Sequence, residues 1–144
     1  HAALKTNRDA IIDTRCVWSE SDGEVQFSES SVGELSKVSE LPSPSFLRRE
    51  FVSTYQVATV SLYDLLIQHK APTVIDFLSI DTEGAEYLIL KPFPFDKYKI
   101  KVIVCEHNYT SLRDDIYQLL TKAGYVRTLK EISGVDDYYL FRGL

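Results

Sequence analysis

The period of the apolar positions changes several times along this chain, and each change marks an element. From Val74 to Ile80 (VIDFLSI) the residues are mostly apolar, the pattern of a short strand buried on both faces at the centre of a sheet. That strand runs into three carboxylates, Asp81, Glu83 and Glu86, broken by Gly84, and Ala85 to Leu90 predicts a short helix ended by Pro92 and Pro94. Ile100 to Cys105 (IKVIVC) predicts a second buried strand, which also ends in polar residues, Glu106, His107 and Asn108. Ser111 is placed to cap a helix in which Leu112, Ile116, Leu119, Leu120 and Ala123 share one face, and Gly124 is placed to stop it. Tyr125 to Ile132 and Asp137 to Arg142 predict two closing strands joined through Ser133-Gly134-Val135.

The first half is less regular. Ala2 to Asp9 predicts the tail of a helix, with a turn at Asn7-Arg8-Asp9, and Ala10 to Trp18 a strand. Ser21-Asp22-Gly23 is a turn, and Glu24 to Ser28 alternates polar with apolar, which together predict a hairpin with a peripheral second strand. Ser28 to Ser53 is rich in serine, carries Gly33, Pro42 and Pro44, and predicts a long surface loop with a short helix near Phe46 to Phe51. A loop of that length is either a lid over a site or a solvated insertion. Gln56 to Val60 predicts a short strand, and Ser61 with Asp64 a capping box opening a helix from Leu62 to His69. The alternation of strands and helices predicts an α/β fold, one domain over residues 1–144, with a mainly parallel sheet and a C-terminal antiparallel pair.

Composition narrows the function classes. The chain has 144 residues, 44% hydrophobic and 26% charged, as ordinary globular domains do, and a net charge of -5 with scattered lysines and arginines. No basic stripe is present, which argues against nucleic-acid and anionic-membrane binding. No apolar run suffices for a membrane span and no signal-peptide pattern opens the chain. Cys16 and Cys105 lie in apolar stretches and read as buried free thiols, so a cytoplasmic setting is expected. The opening HAALKTN and the lack of methionine predict a segment of something longer.

The candidate chemistry lies where the two buried strands end, since open α/β sheets bind ligands beyond the carboxyl ends of their strands. Glu83 and Glu86 could simply serve the N-terminus of the helix that follows. Asp81, ending so apolar a strand, needs a partner or a ligand. Neighbouring parallel strands lie about 5 Å apart, so Asp81 and Glu106 can converge. Two nearby carboxylates repel, which raises one pKa or recruits a cation. With Asn108, and with His107 nearby, that arrangement suits a hard, oxygen-ligated divalent ion. Without metal, one acid or His107 could act as general base. A lone histidine is more often structural than catalytic, which weighs on His107 and more heavily on His69. Trp18 could stack on a planar ligand or fill the core, and Tyr138-Tyr139 reads as strand packing.

The run Leu78-Ser79-Ile80-Asp81-Thr82-Glu83-Gly84-Ala85-Glu86 resembles the signature of the FkbM-type methyltransferases, S-adenosylmethionine-dependent enzymes of the Rossmann-like class that mostly methylate oxygen. Val60 to Leu66, Val104 to Asn108 and Ala123-Gly124-Tyr125 resemble the family's flanking segments in order, and Cys16 to Ser19 with Gly23 to Val25 its third strand and hairpin. The resemblance implies a class I methyltransferase sheet, S-adenosylmethionine as cofactor, and a small-molecule, sugar or lipid acceptor. It also implies Asp81 and Glu83 facing the methyl-transfer site, Val17 and Trp18 bordering the adenine, and Glu106 with Asn108 on the substrate side. A divalent ion on Asp81, Glu106 and Asn108 follows from the same comparison. The family's opening strands and glycine-rich cofactor loop have no counterpart here. The chain therefore reads as the C-terminal two thirds of a longer domain, with two strands missing between Ala10–Trp18 and Val74–Ile80. A two-metal exonuclease, which also opens on D-x-E, is disfavoured by the helix that follows and by the absence of a basic groove. A non-catalytic methyltransferase-like interaction module is the other alternative, and a homo-oligomer is left open.

Overall fold

The computed structural model describes residues 9–42 and 49–143. Among them, eight strands divide between two four-stranded sheets. The first contains β1 (Cys16–Trp18), β2 (Glu24–Ser30), β3 (Lys37–Val38) and β4 (Phe51–Ser61), in the order β1-β4-β2-β3. The second contains β5 (Val74–Ile80), β6 (Lys99–Glu106), β7 (Tyr125–Thr128) and β8 (Asp136–Phe141), in the order β5-β6-β8-β7. Three helices, α1 (Leu62–Gln68), α2 (Glu86–Leu90) and α3 (Leu112–Lys122), connect them.

This is an α/β domain, but not the single, mainly parallel sheet expected. Only β1–β4 and β5–β6 pair parallel; β2–β3, β2–β4, β6–β8 and β7–β8 are antiparallel. The C-terminal antiparallel pair is present as expected. β1 and β2 do not form a hairpin with each other, because β4 lies between them. The stretch read as a loop from Ser28 to Ser53 contains the end of β2, a 3-10 turn (Gly33–Leu35), β3 and the start of β4. Its strand content was masked by serines. Phe51-Val52-Ser53-Thr54-Tyr55 is rich in β-branched and aromatic residues that favour strands, yet all five are exposed, so no apolar periodicity marks it. The helix expected over residues 2–9 lies almost entirely outside the described residues, as does the first half of that expected near 46–51; residues 49–51 are described and not helical, and Phe51 opens β4. Residues 10–15 form no strand, and β1 is confined to Cys16–Trp18.

The core lies between the second sheet and α2 with α3. Ile100 and Ile103 from β6, Tyr139 from β8, Ile89 and Leu90 from α2, and Ile116 and Leu120 from α3 are all buried together. The α3 stripe therefore works as its spacing predicted, with Leu119 and Ala123 packed at the margin. Gly124 ends the helix at φ 94°, a left-handed conformation in which a side chain is strained.

Two caps differ from their sequence signatures. The Ser61 hydroxyl accepts the Asp64 N–H (3.0 Å), but the reverse bond is relayed: Ser61 N–H donates to Ser21 Oγ (2.9 Å), and Ser21 donates to the Asp64 carboxylate. Ser111 has helical backbone angles and makes no side-chain cap bond.

β5 is the largest correction. Among the described residues it pairs only with β6, so there it is an edge rather than a central strand, and Phe77 is 57% exposed. Among the described residues β1 likewise has a single partner, β4. Both expected free thiols are free, Cys105 buried and Cys16 partly so. No described helix is long and apolar enough to cross a membrane.

Candidate active site

Two turns, at the carboxyl ends of β5 and β6, build the site. Ile80 pairs in register with Cys105. Asp81 and Glu106, the next residue on each chain, are therefore brought side by side.

In the first turn Glu86 acts as the internal anchor. Its Oε1 accepts N–H bonds from Thr82 (2.7 Å) and Gly84 (3.2 Å) and the Thr82 hydroxyl (2.9 Å). This satisfies donors at the start of α2 and leaves Glu86 4% exposed, so its role in the turn is structural. The turn is tight: Glu83 has φ 58° and Gly84 φ 116°. The second turn has the same character, with φ 43° at Asn108 and 54° at Tyr109. The His107 carbonyl accepts from Thr110 N–H (2.8 Å) and its hydroxyl (3.0 Å), and His107 Nδ1 accepts from Tyr109 N–H (3.0 Å). Non-glycine residues in the left-handed region each cost about 1–2 kcal/mol. Such outliers gather where a loop is held for function.

Within this frame, carboxylate oxygens of Asp81, Glu83 and Glu106 lie within 4.8 Å of one another. Asp81 is exposed, while Glu83 and Glu106 are 9% and 7% exposed. Glu106 Oε2 is buried with no hydrogen-bond partner among the described residues. Burial, reinforced by Asp81, Glu83 and Glu86, pushes the Glu106 carboxyl up to about 8. Burial also raises Glu83, opposed by Arg49, whose guanidinium pairs with it. The Arg49 side chain is 2% exposed, and its Nε and Nη1 have no partner among the described residues. Lys37 is buried nearby and donates to the Leu41 carbonyl.

Glu83 separates two openings. On one side a cavity of about 240 Å³ is lined by Val17, Phe27, Val38 and Ala85 together with Asp81 and Glu83. On the other, a narrow cleft is lined by Glu83, Glu86, Glu106, His107, Asn108 and Thr110. Trp18 does not line that cavity and packs against the hydrophobic core. His107 is 4% exposed, and burial, with Arg113 adding to it, lowers its pKa, so it is neutral at pH 7. Its Nε2 has no hydrogen bond and lies 3.8 Å from Asp137 Oδ1. His69 stands apart, paired with Asp13.

Sequence reasoning missed Arg49, Lys37 and the buried acid Asp137. Arg49 and Lys37 sit in the serine-rich stretch, where no periodicity distinguishes a buried cation from a solvated one. For Asp137 the apolar neighbours Tyr138 to Phe141 were the available signal, an acid opening a buried strand.

Three carboxylates this close, one of them held partly protonated, suit a hard cation, a cationic ligand group or proton transfer from a bound hydroxyl. No curated protein and no solved structure matches the chain. The family model of the methyltransferase FkbM domain matches residues 4–127, which span both turns and both openings, and the chain belongs to that methyltransferase family.

Proposed function

We propose that the chain is an S-adenosylmethionine-dependent methyltransferase that methylates a hydroxyl of a small molecule, sugar or lipid. The observation that carries this reading is the acid cluster of Asp81, Glu83 and Glu106, set between an apolar-walled cavity and a polar cleft in an FkbM-family chain. When bound, S-adenosylmethionine supplies a methyl group on a sulfonium cation. Val17 and Phe27 offer apolar walls to an adenine, and Asp81 and Glu83 offer negative charge to the sulfonium.

The acceptor hydroxyl would enter along Glu106, His107 and Asn108, with its oxygen in line with the methyl group. There Glu106, once ionised, takes the hydroxyl proton, while the His107 ring, whose Nδ1 lone pair already accepts the Tyr109 N–H, lines the cleft. The unpartnered Glu106 oxygen also fits a divalent cation shared with Asp81 and Asn108, and Glu83 lies close enough to join them. Such an ion would lower the pKa of the hydroxyl and favour ionised Glu106.

A second reading, a non-catalytic methyltransferase-like interaction module, rests on the six glycines, none of which forms a glycine-rich cofactor loop. Titration calorimetry with S-adenosylhomocysteine separates the two. Saturable binding that Asp81→Ala weakens by about tenfold or more supports the enzyme. Absence of binding, both by this chain and by one extended upstream, would favour the module.

A further inference from the structure

Beside β7, at the far edge of the sheet from β5, the structure opens a second, oppositely charged cavity. The Tyr125 hydroxyl accepts the Ile100 N–H (3.3 Å) at the start of β6. Glu106 closes the same strand six residues on, about 20 Å away at the usual rise per residue. Beside Tyr125 is a cavity of about 430 Å³ whose walls include Arg127, Lys130, Arg142, Tyr117 and Thr121, with no carboxylate among the lining residues.

The charge balance there is uneven. Asp137 carries one negative charge and accepts from two guanidiniums, Arg113 through two bonds (2.9 and 2.8 Å) and Arg127 through one (3.2 Å). Arg113 satisfies that acid, so Arg127 is surplus cation. Its Nε is buried with no partner, and its guanidinium stacks on the Tyr117 ring at 4.8 Å. Among the described residues, neither Lys130 nor Arg142 forms an ion pair. The α3 C-terminus also faces this region, but a helix end contributes only about half a negative charge. Part of that is already met by backbone donors: Gly124 N–H reaches the Thr121 carbonyl (3.0 Å) and Arg142 N–H the Gly124 carbonyl (3.1 Å). Three cations against half a charge leave the cavity strongly positive.

We propose that this cavity binds a phosphate group, either as free phosphate or as the monoester end of a small phosphorylated molecule. A dianion matches the surplus better than a single carboxylate does, and the planar Arg127 fork with an unused N–H suits tetrahedral oxyanions. The Thr121 hydroxyl adds a neutral donor. The site is separate from the acid cluster and stands or falls independently of the methyltransferase reading.

Calorimetric titration of inorganic phosphate and of phenyl phosphate into the wild-type chain, at constant ionic strength set with chloride, tests the proposal. The expected result is saturable binding with a dissociation constant of about 1 mM or below. Binding should weaken by about tenfold or more in Lys130→Ala/Arg142→Ala, at an unchanged melting temperature, since both side chains are on exposed residues. Tighter binding of phenyl phosphate identifies a monoester as the ligand, and equal or weaker binding identifies free phosphate. Absence of saturation by either probe at about 10 mM, or unchanged binding in the double variant, overturns the proposal.

Discussion

Glu106 and Asp137 lie on paired strands one register position apart, since Cys105 faces Asp137 and Glu106 faces Asp136. Alternation along the strands sends them to opposite faces of the sheet. Their exposures are similarly low, 7% and 2%, yet their chemistry diverges. Burial alone would raise the Asp137 carboxyl. Bonds from Arg113 and Ser133 more than reverse that and bring it down to about 2. Glu106 has burial and three neighbouring acids, and it rises to about 8. The comparison teaches that burial does not decide what a buried acid does; the partners do. Asp137 is consumed by holding α3 and β7 to β8, whereas Glu106 keeps an oxygen available for a proton or a cation.

Removing the charge at each acid should therefore have opposite effects. Asp137→Asn leaves two guanidiniums facing a neutral amide, and breaking such a buried pair costs about 3–5 kcal/mol. For a domain of this size the melting temperature should fall by about 10–20 °C at pH 7. The Asp137 carboxyl lies lower in the fold than its ordinary 3.8, so its contribution is complete above that value and is lost as pH falls through about 2. The gap between variant and wild type should shrink along that acid limb. A fall of only a degree or two at pH 7 would show that Arg113 and Arg127 do not depend on this charge.

Arg49→Ala probes the acid cluster from its cationic side and should cost less, about 2 kcal/mol, because Glu83 can take up a proton instead. Without Arg49 the burial effect on Glu83 is unopposed and its pKa rises further. The destabilisation should thus be greatest at alkaline pH and diminish as the solution is acidified. Urea unfolding at pH 5 and pH 9 measures the difference. Equal loss at both pH values would mean that Arg49 acts through packing alone.

The contrast between the two acids was half legible in the sequence. Asp81 and Glu106 could be placed together because two apolar strands each ended in acid, and a parallel register of neighbours follows from the helix between them. The element boundaries of β5, α1, α2, β6 and α3 follow closely from the same periodicities. Strand partners did not. VIDFLSI reads as a central strand whether it has one neighbour or two, because its composition reports its own apolarity and not what lies beside it. The first half of β4, Phe51 to Tyr55, was hidden since an exposed strand lacks an apolar face, whereas Gln56 to Val60 was legible as a strand. Asp137 and Arg49 depend on contacts across 24 and 34 residues of sequence, to Arg113 and Glu83, which no local pattern encodes.

Substitution of Glu106 best separates the two roles open to it. In the fold its carboxyl titrates near 8, above its ordinary 4.5, so the folded state holds a proton that the unfolded chain releases between those values. Folding carries no penalty from this group below about pH 4.5, a growing penalty up to about 8, and a constant one beyond. Glu106→Gln removes the charge and should melt clearly higher than wild type at pH 9, with no difference at pH 4, when both are measured with chelator present. Saturating manganese should then invert the order. At about a hundredfold excess over its dissociation constant, an ion on Asp81 and Glu106 stabilises the wild type by about 2.7 kcal/mol. Glu106→Gln, having lost a ligand, should gain little. If manganese leaves both melting curves unmoved while the pH 9 difference persists, the acid cluster handles protons and no metal is needed. If manganese stabilises both equally, the ion binds elsewhere, and Glu106 loses its assignment as a ligand while keeping its raised pKa.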